Sequence, residues 1–525
     1  MAERIVQQPA TVSAQSHFTQ LPTADVERST FDRSHGYKTT FDAGKIVPFL
    51  VDEVIPGDTF NVNTTLFIRL ATPLKPIMDN ISVDVHYFFV PNRIVMDEWP
   101  QFMGERDDPA DDPEDINLPM AVIETDNILG YLADYFGIPL TQATGASILV
   151  NGLPFRGYRK IFNDWYRDQN LIPKSPESTD SNNFTATTRG LENRAKRRDY
   201  FTSALPWPQK GSPVFLPLGT TAPVLPNGTP TFENDDGLLG ALQQLDGAGN
   251  NAEFENDVST GGGAVTARFV NSGLITDLQE ATAATINDIR TAFQVQRLLE
   301  RDARGGTRYI EILLNHFNVE SQDARLMRPE YLGGGTGHVT INPVASTFAN
   351  EDIAQGQLAA VGTGVVKAGF KHSFVEHGYV FGMMSARADL TYQNGLDRMW
   401  SRNTKYDYYW PVLSHLGEQE ILNKEIYLSG TTEDDEVWGY QERYADYRFK
   451  PGRVTNLMRS NAPESLDVWH LAQDYNVLPV LNASFIKENP PIDRVVAVPT
   501  EPDFICDGWV SMQCTRPMPV YSVPG

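Results

Sequence analysis

A β-sandwich or barrel interrupted by long insertions is predicted by three observations. From Phe60, the residues Phe60, Val62, Leu66, Ile68 and Leu70 share one parity while Asn61, Asn63, Thr65 and Arg69 share the other, the period of two of a half-buried strand. Phe67 breaks the pattern. After a Pro- and Asn-rich turn the alternation resumes with Ile81, Val83, Val85, Tyr87 and Phe89 against Ser82, Asp84 and His86, and Pro91 ends it. Upstream, Lys45 to Val54 is an apolar run closed by Pro56-Gly57-Asp58, where Pro presets φ and Gly supplies a positive one. Comparable strand patterns recur only near the far end of the chain, so the sheet must close over a long range.

The chain has 525 residues, 41% hydrophobic and 21% charged, with 40 Gly and 35 Pro. That composition belongs to a folded, loop-rich protein, and no low-complexity linker divides it. No basic segment with an apolar run marks a signal peptide and no window approaches about 18 apolar residues, so the chain is expected in the cytoplasm at first, without membrane insertion. Cys506 and Cys514 are the only cysteines, too few for a disulfide framework, and are expected reduced. The formal charge of −24 repels nucleic acid and anionic membranes on average, although charge segregated to one face can still bind a polyanion.

In chain order, residues 1–44 are polar with isolated aromatics (Phe18, Phe31, Phe41) and read as an extended arm or a frayed terminus. Residues 45–525 read as the body. Glu105 to Asp115 holds seven carboxylates, but Pro109 and Pro113 interrupt them and no Gly supplies the bend of a calcium loop; a solvated loop is expected. Asp126 to Phe136 has an apolar helical face (Ile128, Leu129, Leu132, Tyr135, Phe136) with Gly137 as its stop. Tyr158, Ile161, Phe162, Trp165 and Tyr166 repeat the helical spacing and are assigned to core. Arg189 to Arg198 is the most basic window; it reads as a sequence-independent phosphate contact or as an interfacial or surface patch. The Tyr200 to Pro208 connection after it is aromatic and needs a surface to lie on.

Gly219 to Thr276 changes character, with ten Gly in 58 residues and one Arg (Arg268) against seven carboxylates. It reads as an exposed insertion, with Leu238, Leu239, Leu242 and Leu245 hinting at a short helix. A long helix is predicted from Thr276, which has capping-box spacing to Gln279, to about Arg304, with Ile286, Ile289, Phe293 and Leu298 or Leu299 inward. Its basic end (Arg297, Arg301, Arg304, then Arg308) complements the helix dipole. Gly333 to Gly364 reads as loop. Lys371 to Arg387, Val437 to Phe449 and Phe504 to Thr515 read as strands, the last with Phe504, Cys506, Trp509 and Met512 as core.

No catalytic signature emerges. Gly333 to His338 is neither a Walker loop nor a dinucleotide fingerprint, and no zincin or nucleophile-elbow motif occurs. His372 and His377 would point to opposite faces of one strand, and neither metal nor cofactor is expected. Plentiful carboxylates leave a carbohydrate-active or glycan-binding β-sandwich as the alternative.

Several blocks carry a resemblance. The run Arg194 to Gly211, centred on Tyr200-Phe201-Thr202-Ser203-Ala204-Leu205-Pro206-Trp207-Pro208, resembles a hallmark of the major capsid proteins of gokushoviruses, small single-stranded DNA phages of the Microviridae. Leu298 to Tyr309, Arg325 to Gly334, Arg387 to Tyr392, Met399 to Arg402 and the ending Arg516 to Gly525 resemble further blocks of that family. The resemblance runs from about Phe31 to Gly525 and lapses in the 219–276 insertion and the acidic loop. It implies an eight-stranded antiparallel viral jelly roll with long inserted loops and helices, and a structural protein that does no chemistry. It further implies assembly in the bacterial host into a T=1 icosahedral shell around circular single-stranded DNA. The partners implied are further copies of the chain, that genome, a small basic DNA-packaging protein, a minor pilot protein and a host surface receptor. On that reading Arg194, Lys196, Arg197, Arg198, Arg301, Arg304 and Arg308 are the DNA-facing candidates. Gly219 to Thr276 is then the host-contact protrusion, with Glu233, Asp235, Asp236, Leu238, Leu239, Leu242, Glu253 and Glu255 as its candidate residues.

Overall fold

The structure, a computed structural model, describes residues 26–106, 116–141, 145–215, 224–226, 231–233, 239–243, 253–254, 268–271, 274–276, 286–320, 327–348 and 355–521. It divides into two compact units, one from Met1–Trp207 with Val319–Gly525, the other Pro208–Asn318.

One antiparallel sheet organises the first unit. Its strands are β1 (Ser29–Asp32), β2 (His35–Phe41), β3 (Val47–Val54), β4 (Thr59–Leu70), β5 (Ile81–Pro91), β6 (Glu330–Ala345), β7 (Leu358–Ser373), β8 (Gly378–Ala388) and β9 (Phe504–Arg516). Across the sheet they run β1 and β2, then β9, β4, β7, β6, β5, β8 and β3. Because β1 and β2 pair with successive parts of β9, they share one position and the sheet has eight rungs, as a jelly roll requires. β6 pairs with β5 through its first ten residues and with β7 through its last seven. This change of partner along one strand curls the sheet on itself.

Curling lets both arms of the sheet face one core. Phe374, just after β7, lies 5.3 Å from Phe60 of β4 and 4.7 Å from Phe89 of β5, and Tyr87 meets Phe49 and Phe370 at 5.8 and 5.0 Å. The predicted parity of β4 holds throughout: Phe60, Val62, Leu66, Ile68 and Leu70 are buried, and Phe67 is 48% exposed. β5 departs from its predicted half-burial, being covered on both faces. Its second face carries Phe88 and Val90 into another core with Phe381 and Met383 of β8 and with α1 (Leu153–Ile161). Gly157 permits that contact, since a Cβ there would sit 2.8 Å from the Phe381 ring. The aromatic stripe assigned to core is largely that: Tyr158, Ile161, Phe162 and Tyr166 are buried, while Trp165 is 39% exposed.

Several expectations are corrected. Gly333 to Gly364, expected as loop, contains most of β6 (residues 333–345) and the start of β7 (residues 358–364). Its glycines serve close strand approach: a Cβ on Gly334 would lie 2.3 Å from the Val85 carbonyl oxygen, and one on Gly337 2.6 Å from Val366. Lys371 to Arg387 is two strands, the end of β7 and most of β8, broken at residues 374–377. The strand at Val437–Glu442 pairs with Glu418–Leu422 and bridges to Leu205, outside the main sheet, and a 3-10 turn (Ala445–Tyr447) follows it. In β9, Phe504, Cys506 and Met512 are buried, but Trp509 has the opposite parity and is exposed. The helix expected over Asp126 to Phe136 shrinks to Leu132–Tyr135; Gly130 has a positive φ of 75°, which interrupts it, and Leu129 is exposed. Residues 29–41 of the expected arm are strands of the sheet, with Phe41 in the core. Phe18 lies outside the described residues, as does most of the acidic loop. Both cysteines are free and buried.

In the second unit, Thr231–Glu233, Leu239–Gln243, Glu253–Phe254 and Arg268–Asn271 form a small antiparallel sheet, and Val224–Pro226 pairs with Leu274–Thr276. The helix hinted at around Leu242 is therefore a strand: Gly240 weakens a helix there, and both edges of the segment are paired. Thr276 ends a strand instead of capping a helix. The long helix α2 spans Ile286–Arg304, and α3 (Tyr309–Phe317) follows. Of the residues expected inward, Ile286 and Phe293 are exposed, Ile289 is half-buried, and of the Leu298 or Leu299 pair Leu298 is exposed and Leu299 half-buried. Helical periodicity specifies an apolar stripe and not the surface that covers it.

Candidate functional site

The basic segment after Glu192 is held as an extended ribbon. Arg194 N–H donates to the Gly44 carbonyl (2.8 Å), Glu488 N–H to the Arg194 carbonyl (2.7 Å) and Lys196 N–H to the Ile486 carbonyl (2.8 Å). Alternate side chains are thereby fixed. Arg194 Nη1 reaches Asp84 Oδ2 at 2.7 Å, Arg387 Nη2 reaches the same oxygen at 2.6 Å, and the Thr336 hydroxyl donates to Asp84 Oδ1 at 2.7 Å. Burial opposes the charge on Asp84, but the Thr336 hydroxyl and the two guanidinium groups outweigh it and hold the carboxyl below the usual range. His86, two residues on, accepts or donates a 2.8 Å bond with the Tyr166 hydroxyl. Burial, then Arg194, pushes its pKa down to about 4.

Arg197 donates to Ser82 Oγ (2.8 Å) and lies 3.4 Å from Asp389. Lys196 is buried with its Nζ 4.7 Å from the Phe485 ring centroid, and burial lowers its pKa. Glu488 is 1% exposed. Burial pushes its carboxyl up to about 7, with Lys196, Arg387, Arg194 and Arg197 pulling the other way. Of the four cations in this ribbon put forward as DNA-facing, three thus have partners inside the chain, and Arg198 alone is exposed.

The Tyr200 to Pro208 connection finds its surface within its own chain. Asp199 accepts from Phe201 N–H and Thr202 N–H (2.9 and 2.8 Å) and from the Tyr392 hydroxyl (2.8 Å). Phe201 then packs edge-on to Tyr392 and Trp438 at 4.9 and 5.9 Å, and Leu205 bridges to Tyr440.

In the second unit, Arg301 is exposed and Arg304 half-buried near the end of α2, while Arg308 pairs with Glu311 at 2.8 Å in the first turn of α3. Asn315 donates to the Arg301 carbonyl and His316 meets Asp302 at 2.7 Å, joining the two helices. Of the host-contact candidates, Glu233, Leu239, Leu242 and Glu253 fall on the strands of the small sheet. Asp235, Asp236, Leu238 and Glu255 lie outside the described residues.

One feature escaped the sequence reading. A cavity of about 280 Å³ opens in the first unit beside Tyr200, Phe201 and Tyr392, with Trp400, Arg453 and Arg459 among its lining. The signal was present in the interleaving of Arg398, Trp400, Arg402, Lys405, Tyr406, Tyr408, Tyr409 and Trp410.

Among known proteins, the family model described as capsid protein (F protein) matches residues 19–525. Capsid protein VP1 of Bdellovibrio phage phiMH2K is 47% identical over 531 residues, covering 97% of each chain. Capsid protein VP1 of Chlamydia phage 1 is 41% identical over 585 residues, again 97% of each, and that of Spiroplasma virus 4 is 37% identical over 530 residues, 95% of each. These are structural proteins and not enzymes. With an eight-rung jelly roll and a match along nearly its whole length, the chain belongs to the phage capsid (F protein) family and is a gokushovirus-type major capsid protein of the Microviridae, a component of the virion.

Proposed function

We propose that the chain self-associates into a T=1 icosahedral shell around circular single-stranded DNA, and that Gly219 to Thr276 contacts a host surface receptor. The observation that carries this reading is the match to the capsid protein family over residues 19–525. Exposed apolar groups such as Ile286, Phe293, Trp400 and Val412 support it, because self-association covers such surface. Assembly takes place in the bacterial host, with a small basic packaging protein and a minor pilot protein as further partners. The overall charge of −24 favours neutralisation of the genome mostly by that basic protein.

Among the seven cations put forward for DNA, Arg198 and Arg301 are the strongest on exposure. Arg194, Lys196, Arg197, Arg304 and Arg308 are assigned a supporting part, since each already has an intramolecular contact. Phosphate contact at these positions needs no base readout. Electron micrographs and a light-scattering mass of the purified chain test the shell: closed particles are expected, whereas a stable monomer would overturn self-assembly by the chain alone. If Arg198 lies on the outer surface of the assembled shell, its assignment to DNA is wrong.

A further inference from the structure

The cavity beside Tyr200 and Tyr392 has features that the capsid fold does not require. Its inner wall is aromatic, formed by Tyr200, Phe201 and Tyr392, all buried. Its mouth carries the Trp400 indole, 67% exposed, and the exposed guanidinium groups of Arg453 and Arg459. Its three carboxylates are already neutralised: Glu425 by Arg398 at 2.8 Å, Asp397 by Lys450 and Asp446 by Arg402. Arg459 donates to the Gln393 carbonyl at 3.4 Å; Arg453 adds to the positive field on Asp397, whose closer partner is Lys450, and neither arginine forms a direct ion pair among the described residues. The unbalanced charge at the mouth is therefore positive, beside an unoccupied aromatic face.

A planar, anionic occupant satisfies both features. Exposed aromatics flanked by cations stack bases and track phosphates in single-stranded nucleic-acid sites, and a volume of about 280 Å³, just under the roughly 300–1,000 Å³ of ligand pockets, suits a single small occupant. We propose that this cavity takes one unstacked nucleotide of single-stranded DNA, its base against Trp400 and its phosphates between Arg453 and Arg459. This deepens the genome-enclosing reading and rests on it. An acidic peptide would satisfy the guanidinium groups but leave the indole unused, and duplex DNA keeps its bases stacked and unavailable.

The test is the affinity of the full chain, in its unassembled form, for a fluorescently labelled oligodeoxythymidylate, read by anisotropy across a salt series. Trp400→Ala is expected to weaken binding roughly ten-fold. Replacing both Arg453 and Arg459 with Gln should reduce the slope of log affinity against log salt by about 1.4. Trp410→Ala, an exposed indole outside the cavity lining, is the control and should change neither. All these side chains are exposed at the surface, and thermal unfolding of each variant checks that the fold is kept. Absence of binding by the parent chain, binding indifferent to Trp400 and both arginines, or equal affinity for polyglutamate would each overturn the proposal. Particle formation by the same variants is scored separately by electron microscopy: shells with an indifferent cavity refute only the nucleotide site, whereas a parent chain that forms no shell refutes the wider reading.

Discussion

Arg194 and Asp84 meet at 2.7 Å across 110 residues of chain, and Asp84, 3% exposed, is the point at which the basic ribbon is tied to the centre of the sheet. Arg387 shares the same carboxylate oxygen. Asp84→Ala would leave two largely buried guanidinium groups without their shared counter-charge. Breaking a buried pair this way costs about 3–5 kcal/mol, so a large fall in the urea midpoint is expected; a change under about 1 kcal/mol would show the cluster to be solvated.

Arg194 and Arg198 should separate by phenotype although they lie four residues apart. Arg194→Gln is expected to lower stability by about 1–3 kcal/mol, because it strips a charge-assisted bond from a buried carboxylate. Arg198→Gln should leave unfolding unchanged and instead lower the affinity for single-stranded DNA at low salt. Paired urea titrations and oligonucleotide-binding measurements on the two variants decide it, and identical behaviour would deny the division.

Glu488 should make the protein more stable on the acidic side of neutrality. Its carboxyl is pushed up to about 7 from an ordinary 4.5. Between these values the folded chain keeps a proton that the unfolded chain releases, so stability falls as pH rises through the window and is level, for this group, on either side. The contribution is about 3 kcal/mol. Asp503, raised to about 6 by burial, acts with the same sign at slightly lower pH. Glu488→Gln should flatten the difference between unfolding free energies at pH 5 and pH 8; a variant with the parent's pH slope would exclude this carboxyl as its source.

Glycines in the long strands should tolerate substitution according to what faces them. A Cβ on Gly369 would lie 2.4 Å from the Val62 carbonyl oxygen, whereas one on Gly36 would meet nothing closer than 3.8 Å. Gly369→Ala is expected to cost about 1–3 kcal/mol through backbone displacement and Gly36→Ala close to nothing. Comparison of their melting temperatures is the check.

Replacing Gly219 to Thr276 with a short linker should spare particle formation and abolish host attachment. Electron microscopy and an adsorption assay read the two outcomes independently. Loss of particles would make the segment structural.

What could be read without the fold was whatever repeats locally. The parity of Phe60 to Leu70 determined which side chains of β4 enter the core, and Phe67 stood out as the exception it is. Blocks such as Arg194 to Gly211 determined the family. The tertiary structure decided which strands meet: β3, β4 and β5 are consecutive, yet none pairs with the next, because partners arrive from β6 to β9. It also placed residues 333–345 and 358–364, read as loop, in two long strands, since the benefit of a missing Cβ at Gly334 depends on Val85, some 250 residues away. The same holds for charge. Five basic residues in ten look alike along the chain, and only their three-dimensional neighbours, Asp84 for Arg194, Phe485 for Lys196 and solvent for Arg198, separate those that hold the wall together from one left free to meet another molecule. Pairing and burial energies depend on distance in space, and local sequence does not encode the identity of a distant partner.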